Sequence, residues 1–267
     1  MIPSDIFLWM TRNIECFVLV LIRISTLLFM FPIFSSRTIP LQIKVAISII
    51  LSMLFTPVAI PLTQDFPVTI PRFLYIIAAE LFLAMVLSLM IRFIFAGIQV
   101  AGQMVGIQMG LGVANIMDPQ SGTQSIIVAQ FAYTISLLLF LVADGHHALI
   151  RVVAESFTII PPGLILSLHL DASLVEAMVS AGSQMFALSV KLMAPVMGIL
   201  LITQVALGIL AKLVPQINML MISLNLNVGL GLLFFGFTMH CFWPVLGRYL
   251  RESIAVMPEI ARIIAGG

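Results

Sequence analysis

Long apolar runs, separated by short breaks marked with proline or polar residues, repeat along the chain from about residue 14 to residue 243. The uncharged stretches 45–64, 93–117, 119–143, 192–211 and 213–247 are 20, 25, 25, 20 and 35 residues long. A hydrocarbon layer about 30 Å thick takes roughly 20 residues of helix to cross. The pattern predicts six membrane-spanning helices, at about 14–32, 43–60, 72–96, 124–143, 184–210 and 219–243. Pro32 ends the first. Pro57, Pro61, Pro67 and Pro71 crowd fifteen residues, which no continuous helix tolerates, so a rigid connection is expected there. Pro195 is expected to kink the fifth helix, and Pro215 to divide it from the sixth.

Two stretches fit this scheme less well. Residues 144–182 are the most polar, with Arg151, Glu155, Asp171 and Glu176 around Pro161-Pro162-Gly163. They read as two short interfacial or re-entrant helices about a turn. Residues 97–123 are rich in glycine and amides. If each stretch dips into the membrane, the number of spans could be five or eight. Arg248, Arg251 and Arg262 favour a cytoplasmic C-terminus. Six spans then put the N-terminus on the same side and leave Arg37 and Lys44 outside, so the basic residues oppose a simple up-and-down topology. Asp5 and Glu15 beside Arg12, with no small-residue cleavage site, make the first apolar stretch a retained span.

Composition strengthens the membrane reading. Hydrophobic residues are 61% and charged residues 9% of the 267, against about 45–50% and about 25% in soluble domains. The mean hydropathy is +1.21. The expected fold class is all-α: one polytopic membrane domain over 1–267 with a glycine-rich re-entrant or plug segment. A net charge of +1 without a basic run excludes nucleic acid as a partner. Cys16 and Cys241, in apolar surroundings, read as small buried hydrophobes. No segment outside the membrane is long enough for a catalytic domain, and phosphate-loop, metalloprotease, nucleophile-elbow and dinucleotide motifs are missing. No enzyme, cofactor or metal is expected. Asp144, His146 and His147 read as a boundary turn, since zinc wants three or four converging ligands and His169 and His240 are distant in sequence.

The candidate functional residues lie where polarity enters apolar segments. Arg23, Glu80 and Lys191 are ionisable groups within them and are expected as buried charges, paired within the chain or with a partner. Arg92 and Lys212, near segment ends, can snorkel. Gly102, Gly106 and Gly110, spaced by four, form one smooth helical stripe suited to close packing. Gln99, Gln103, Gln108, Asn115, Gln120 and Gln124 surround that stripe, and Gly112 and Gly122 weaken a regular helix. Amides at membrane depth need partners or water, so the same stretch could instead line a pore or form a plug. Asp118-Pro119-Gln120-Ser121-Gly122 reads as a turn, with Asp118 an alternative cap for the next helix. Met104, Met109 and Met117 read as core fillers, or as a pliable seal if they face a conduit.

The run 102–122, then Gln130, then FLVADGHH at 140–147, resembles the FliR family of export-gate subunits in the flagellar type III secretion apparatus, which has a matching family in virulence injectisomes. Segment order, Arg23 and Arg37 extend the resemblance along the chain, and the intact DPQSG and DGHH motifs lean to the flagellar side. It implies a non-enzymatic subunit of the bacterial inner membrane and flagellar basal body. With FliP-like and FliQ-like partners it would form a core around a channel for unfolded flagellar proteins, and a FlhB-like protein would associate with that core. It also implies bent helical hairpins like those of FliP and FliQ, and a plug over 106–122, with Gly106, Met109, Gly110, Gly112, Asn115, Met117, Asp118, Pro119, Gln120 and Gly122 as its gate residues. An ion-coupled transporter for a small solute is the competing reading, because broken helices and intramembrane charges suit it too.

Overall fold

The computed structural model describes residues 4–35, 39–62, 69–111, 127–163, 172–214, 216 and 218–265. Helix α1 (Ser4–Met30) leads through one turn, α2 (Pro32–Ser35), into α3 (Leu41–Ala59) and a short 3-10 turn at Ile60–Leu62. Helix α3 is built inside out. Lys44, Ser48, Ser52, Thr56 and Ala59 are buried, while Ile49, Ile50, Met53, Leu54 and Val58 face outward. In water such a helix would expose apolar surface at a large cost; in lipid, small side chains on the packed face let two helices approach closely. Ser48 Oγ donates to the Lys44 carbonyl at 2.9 Å, Ser52 Oγ to Ser48 at 2.6 Å and Thr56 Oγ1 to Ser52 at 2.6 Å. Each hydroxyl is thus satisfied one turn back, without help from solvent. The packing against α1 is antiparallel: Cys16, Val20 and Ile24 meet Ala59, Ile60 and Phe55, with Phe157 closing the cluster.

The remaining helices are α4 (Ile70–Gln108), α5 (Ile127–Val142), α6 (Gly145–Ile159), α7 (Ala172–Leu213) and α8 (Met219–Ala265). With 39, 42 and 47 residues, α4, α7 and α8 are about 58, 63 and 70 Å long at 1.5 Å per residue. Each is about twice the thickness of a hydrocarbon layer. They run past the expected apolar segments 72–96, 184–210 and 219–243 because falling hydropathy does not end a helix. Pro195 lies within α7, whose helix continues on both sides of it. Between α5 and α6 the chain breaks at Asp144, a non-glycine residue with φ of 55°. Five described helices are long and apolar enough to cross a membrane, and a sixth span is counted if α5 and α6 form one broken span.

The chain divides into two compact units. Unit one comprises 1–92, 144–181 and 251–267; unit two comprises 93–143 and 182–250. The core of unit one includes Leu19, Ile76, Leu83, Leu87, Phe157 and Ile260, all essentially solvent-free. In unit two Leu188, Leu192, Val196 and Leu200 form the buried stripe of α7, at intervals of four. Phe95 sets its ring edge-on to Tyr133 and Phe140, at 5.9 and 5.8 Å between centroids.

Candidate functional site

In unit one the structure brings Arg23 of α1 to Glu80 of α4, both fully buried. The guanidinium grips the carboxylate with two bonds, Nε to Oε2 at 2.6 Å and Nη2 to Oε1 at 2.9 Å. Such a fork is the strong, directional form of an ion pair. Its third arm reaches the end of α6: Nη1 donates to the carbonyl oxygens of Ser156 and Ile160 at 3.0 and 2.9 Å. The last carbonyls of a helix lack partners within it and carry its partial negative charge, so a cation there is favoured. The Phe157 ring lies against the guanidinium, 4.7 Å from its carbon. Past the helix end, the Gly163 amide donates to Glu80 Oε1 at 3.2 Å. Gly163 has φ of +81°, where a side chain would be strained. One arginine and one glutamate therefore tie together α1, α4, the C-terminus of α6 and the turn after it. Glu80 has both oxygens occupied.

In unit two the glycines set helix distances. A Cβ on Gly102 would stand 2.5 Å from the Cα of Ala129, so α4 meets α5 almost backbone to backbone. Gly97, which lies outside the expected stripe, does the same against α7: a Cβ there would be 2.7 Å from the Met185 carbonyl oxygen. Gly106 is buried. Gly110 departs from the expected stripe. It lies past the end of α4 with φ of +86°, its amide donating to the Ile107 carbonyl at 2.9 Å and that of Leu111 to Gly106 at 3.0 Å. This pair of bonds is the Schellman closure of a helix, and its left-handed residue explains the glycine. Gly110 thus stops the helix, and it also lies close against α8, where a Cβ would stand 2.6 Å from Leu224 Cδ1.

Met109 is fully buried, and Gly231 of α8 makes the room it fills. A Cβ on Gly231 would fall 2.5 to 2.9 Å from Met109 Cγ, Sδ and Cε. Sequence reasoning missed Gly231 as well as Gly97; the signal at Gly231 is the small residue within the Asn225–Gly231 run. Gln108 Nε2 donates to Gln204 Oε1 at 2.9 Å. Asn227 Oδ1 is buried with no partner among the described residues. The other gate candidates, Gly112, Asn115, Met117, Asp118, Pro119, Gln120 and Gly122, lie outside the described residues, as does Gln124.

Lys191 corrects the expectation of a buried charge. It is exposed on the chain, one residue off the buried Leu188–Leu192 stripe, and its Nζ donates to Tyr249 Oη at 2.9 Å. At the head of α6, potential ligand atoms of Asp144, His146 and His147 lie within 4.8 Å of one another. The exposed pair closes on itself, His147 Nδ1 to Asp144 Oδ1 at 3.1 Å, and the positive end of the helix opposes a cation there.

These features belong to a polytopic helical membrane protein. The family model for bacterial export proteins, family 1, matches residues 14–253, and the chain belongs to that family. It is 27% identical over 249 residues to the flagellar biosynthetic protein FliR of Bacillus subtilis, covering 93% of this chain and 95% of that protein. To FliR of Escherichia coli it is 28% identical over 240 residues, 90% of each chain. To FliR of Aquifex aeolicus it is 29% identical over 217 residues, 79% of this chain and 80% of the relative.

Proposed function

We propose that this chain is a non-enzymatic structural and gating subunit of the flagellar type III protein-export channel in the bacterial inner membrane. The observation that carries the reading is the family match over 14–253, joined to relatives named as flagellar biosynthetic proteins along nearly their whole length. The geometry is compatible with it. The ionisable pair deepest in unit one is consumed in holding helix ends together, which suits a scaffold better than a proton-coupled carrier. Outward apolar faces on α3, α7 and α8 suit lipid and further membrane subunits, here FliP-like, FliQ-like and FlhB-like proteins in the basal body. The α1–α3 pair is read as one FliP- or FliQ-like hairpin. Residues 106–122 are read as the closure element over the cargo path of unfolded flagellar proteins.

The test is coexpression. Produced alone, the chain is expected to aggregate or be degraded; with FliP- and FliQ-like partners it should be recovered as one assembly, since partner contacts stabilise the folded form by mass action. A monodisperse, stable monomer that binds a small solute without partners would overturn the reading in favour of a transporter.

A further inference from the structure

Unit one holds a cavity of about 270 Å³ that the clamp around Arg23 does not use, walled by α1, α3 and α6 and by the chain around α2. Leu27, Phe31, Leu51, Phe55 and Leu149 form much of the wall, and among the described residues His146 is the one polar side chain lining it. The cavity is elongated. Its lining runs from Ile24 to Phe31 along α1, from Ile47 to Phe55 along α3 and from His146 to Val153 along α6. At 1.5 Å per residue each run is about 10–12 Å long. The floor is closed, because Ile24, Phe55 and Val153 belong to or pack on the cluster of Cys16, Val20, Ala59 and Phe157. The opposite end is the polar turn at Asp144–His147, where Asp144 and His147 are exposed. There His146 Nδ1 is buried with no hydrogen-bond partner among the described residues.

The chemistry of this wall selects its occupant. An empty apolar cavity of this size is costly, because the lining atoms lose contacts on one side. Water fills it poorly, since a buried water needs two to four polar partners and the described side chains of the wall offer one. An apolar chain with a single oxygen function at one end matches both features. Helices α1 and α3 are long and apolar enough to cross a membrane, which puts acyl chains beside this cavity. Exposed Arg151, one turn along α6 from His147, supplies a cation suited to a phosphate. We propose that this cavity binds one acyl chain of a membrane phospholipid, with the ester carbonyl accepting a hydrogen bond from His146. The inference does not depend on the export reading, because it concerns lipid capture by unit one alone.

The experiment uses the full chain, with its coproduced partners, in membrane vesicles supplied with phosphatidylglycerol bearing a diazirine on one acyl chain. Illumination should crosslink residues within 24–34, 47–55 and 146–153. Leu51→Trp and Leu149→Trp, which fill the cavity, should each lower that labelling about tenfold at equal amounts of chain, the ratio expected when a bulky ring takes the ligand's volume. His146→Leu should lower it less, about threefold, because one hydrogen bond is lost while the apolar wall stays. Labelling that survives both tryptophan variants, or is spread evenly over the lipid-facing helices, would overturn the proposal. So would labelling of these segments by a diazirine palmitic acid and not by the phospholipid, which would assign the cavity to free fatty acid. If a tryptophan variant fails to accumulate, the distribution of crosslinks on the wild-type chain decides by itself.

Discussion

Arg23–Glu80 in unit one and Gly102–Met109 in unit two hold helices together by opposite means. The first uses charge: two long side chains reach across to a partner, and the guanidinium extends to backbone carbonyls of a third element. The second uses absence: missing side chains at Gly97 and Gly102 let backbones touch, and a gap at Gly231 receives Met109. In an apolar solvent neither relies on the hydrophobic effect between helices, which lipid removes as a driving force. They fail differently, however. Removing one partner of a buried ion pair strands a charge, whereas adding a methyl to a close contact pushes two helices apart.

The largest expected effect comes from stranding the charge. Arg23→Leu leaves Glu80 buried beside the Gly163 amide, takes the guanidinium from the Ile160 carbonyl, and leaves the Ser156 carbonyl with the Ile160 amide alone. A loss of about 3–5 kcal/mol is expected, enough to abolish recovery of assembled complex. Glu80→Gln should cost less, because the amide keeps an acceptor for Arg23 and Gly163. It should lower complex yield at least as much as it lowers export per assembled complex. Normal yield with export abolished would make Glu80 a proton carrier and end the clamp interpretation.

The glycine contacts rank next, and they divide by what stands opposite. At Gly102 the nearest atom is backbone, the Cα of Ala129, so Gly102→Leu can be relieved only by moving α4 from α5. A loss of about 1–3 kcal/mol or more is expected in thermal unfolding of the complex, and Ala129→Gly should not rescue it. At Gly231 the opposing atoms are the flexible end of Met109. Gly231→Ala should cost about 1–3 kcal/mol, and in a double-mutant cycle most of that added cost should vanish when the change is made in a Met109→Ala chain, whose own cavity carries a separate cost. Equal rescue at both positions would mean that the two contacts are not different in kind.

How far these arrangements were legible differs for the same physical reason. Arg23 and Glu80 stood out because ionisable groups inside apolar runs are rare and must be partnered. Their other partners, the carbonyls of Ser156 and Ile160 and the amide of Gly163, are backbone groups that every residue has, so no letter in the sequence marks them. Gly102 was visible in a four-residue spacing, but Gly97 and Gly231 gain meaning only once their neighbours Met185 and Met109 are known. Gly110 looked like the next member of a stripe, since spacing does not reveal where a helix stops. The hydroxyls of α3, at Ser48, Ser52 and Thr56, were regular at four-residue intervals and still passed unnoticed. A rule made for water places apolar residues inside, and along α3 that rule runs backwards.

Lys191 shows the same limit and supplies the smallest expected effect. Apolar character fills both the buried and the outward faces of a membrane helix, so composition around a charge does not tell which face carries it. Lys191 sits outward beside Leu188 and Leu192, its ammonium 5.2 Å from the centre of the Tyr249 ring and bonded to its hydroxyl. The long stem can carry the charge to water or to a partner while its methylenes lie on apolar surface. Lys191→Met should therefore change the melting temperature of the chain by an amount equivalent to about 0.5–1 kcal/mol, the worth of an exposed cation on an aromatic ring. Tyr249→Phe, which removes the hydroxyl and keeps the ring, should cost less than that. A loss approaching that of Arg23→Leu would show that Lys191 is sequestered in the assembled protein against a charge from another subunit. A double change with a carboxylate on that subunit would then locate the partner, because coupled charges depart from additivity and independent ones do not.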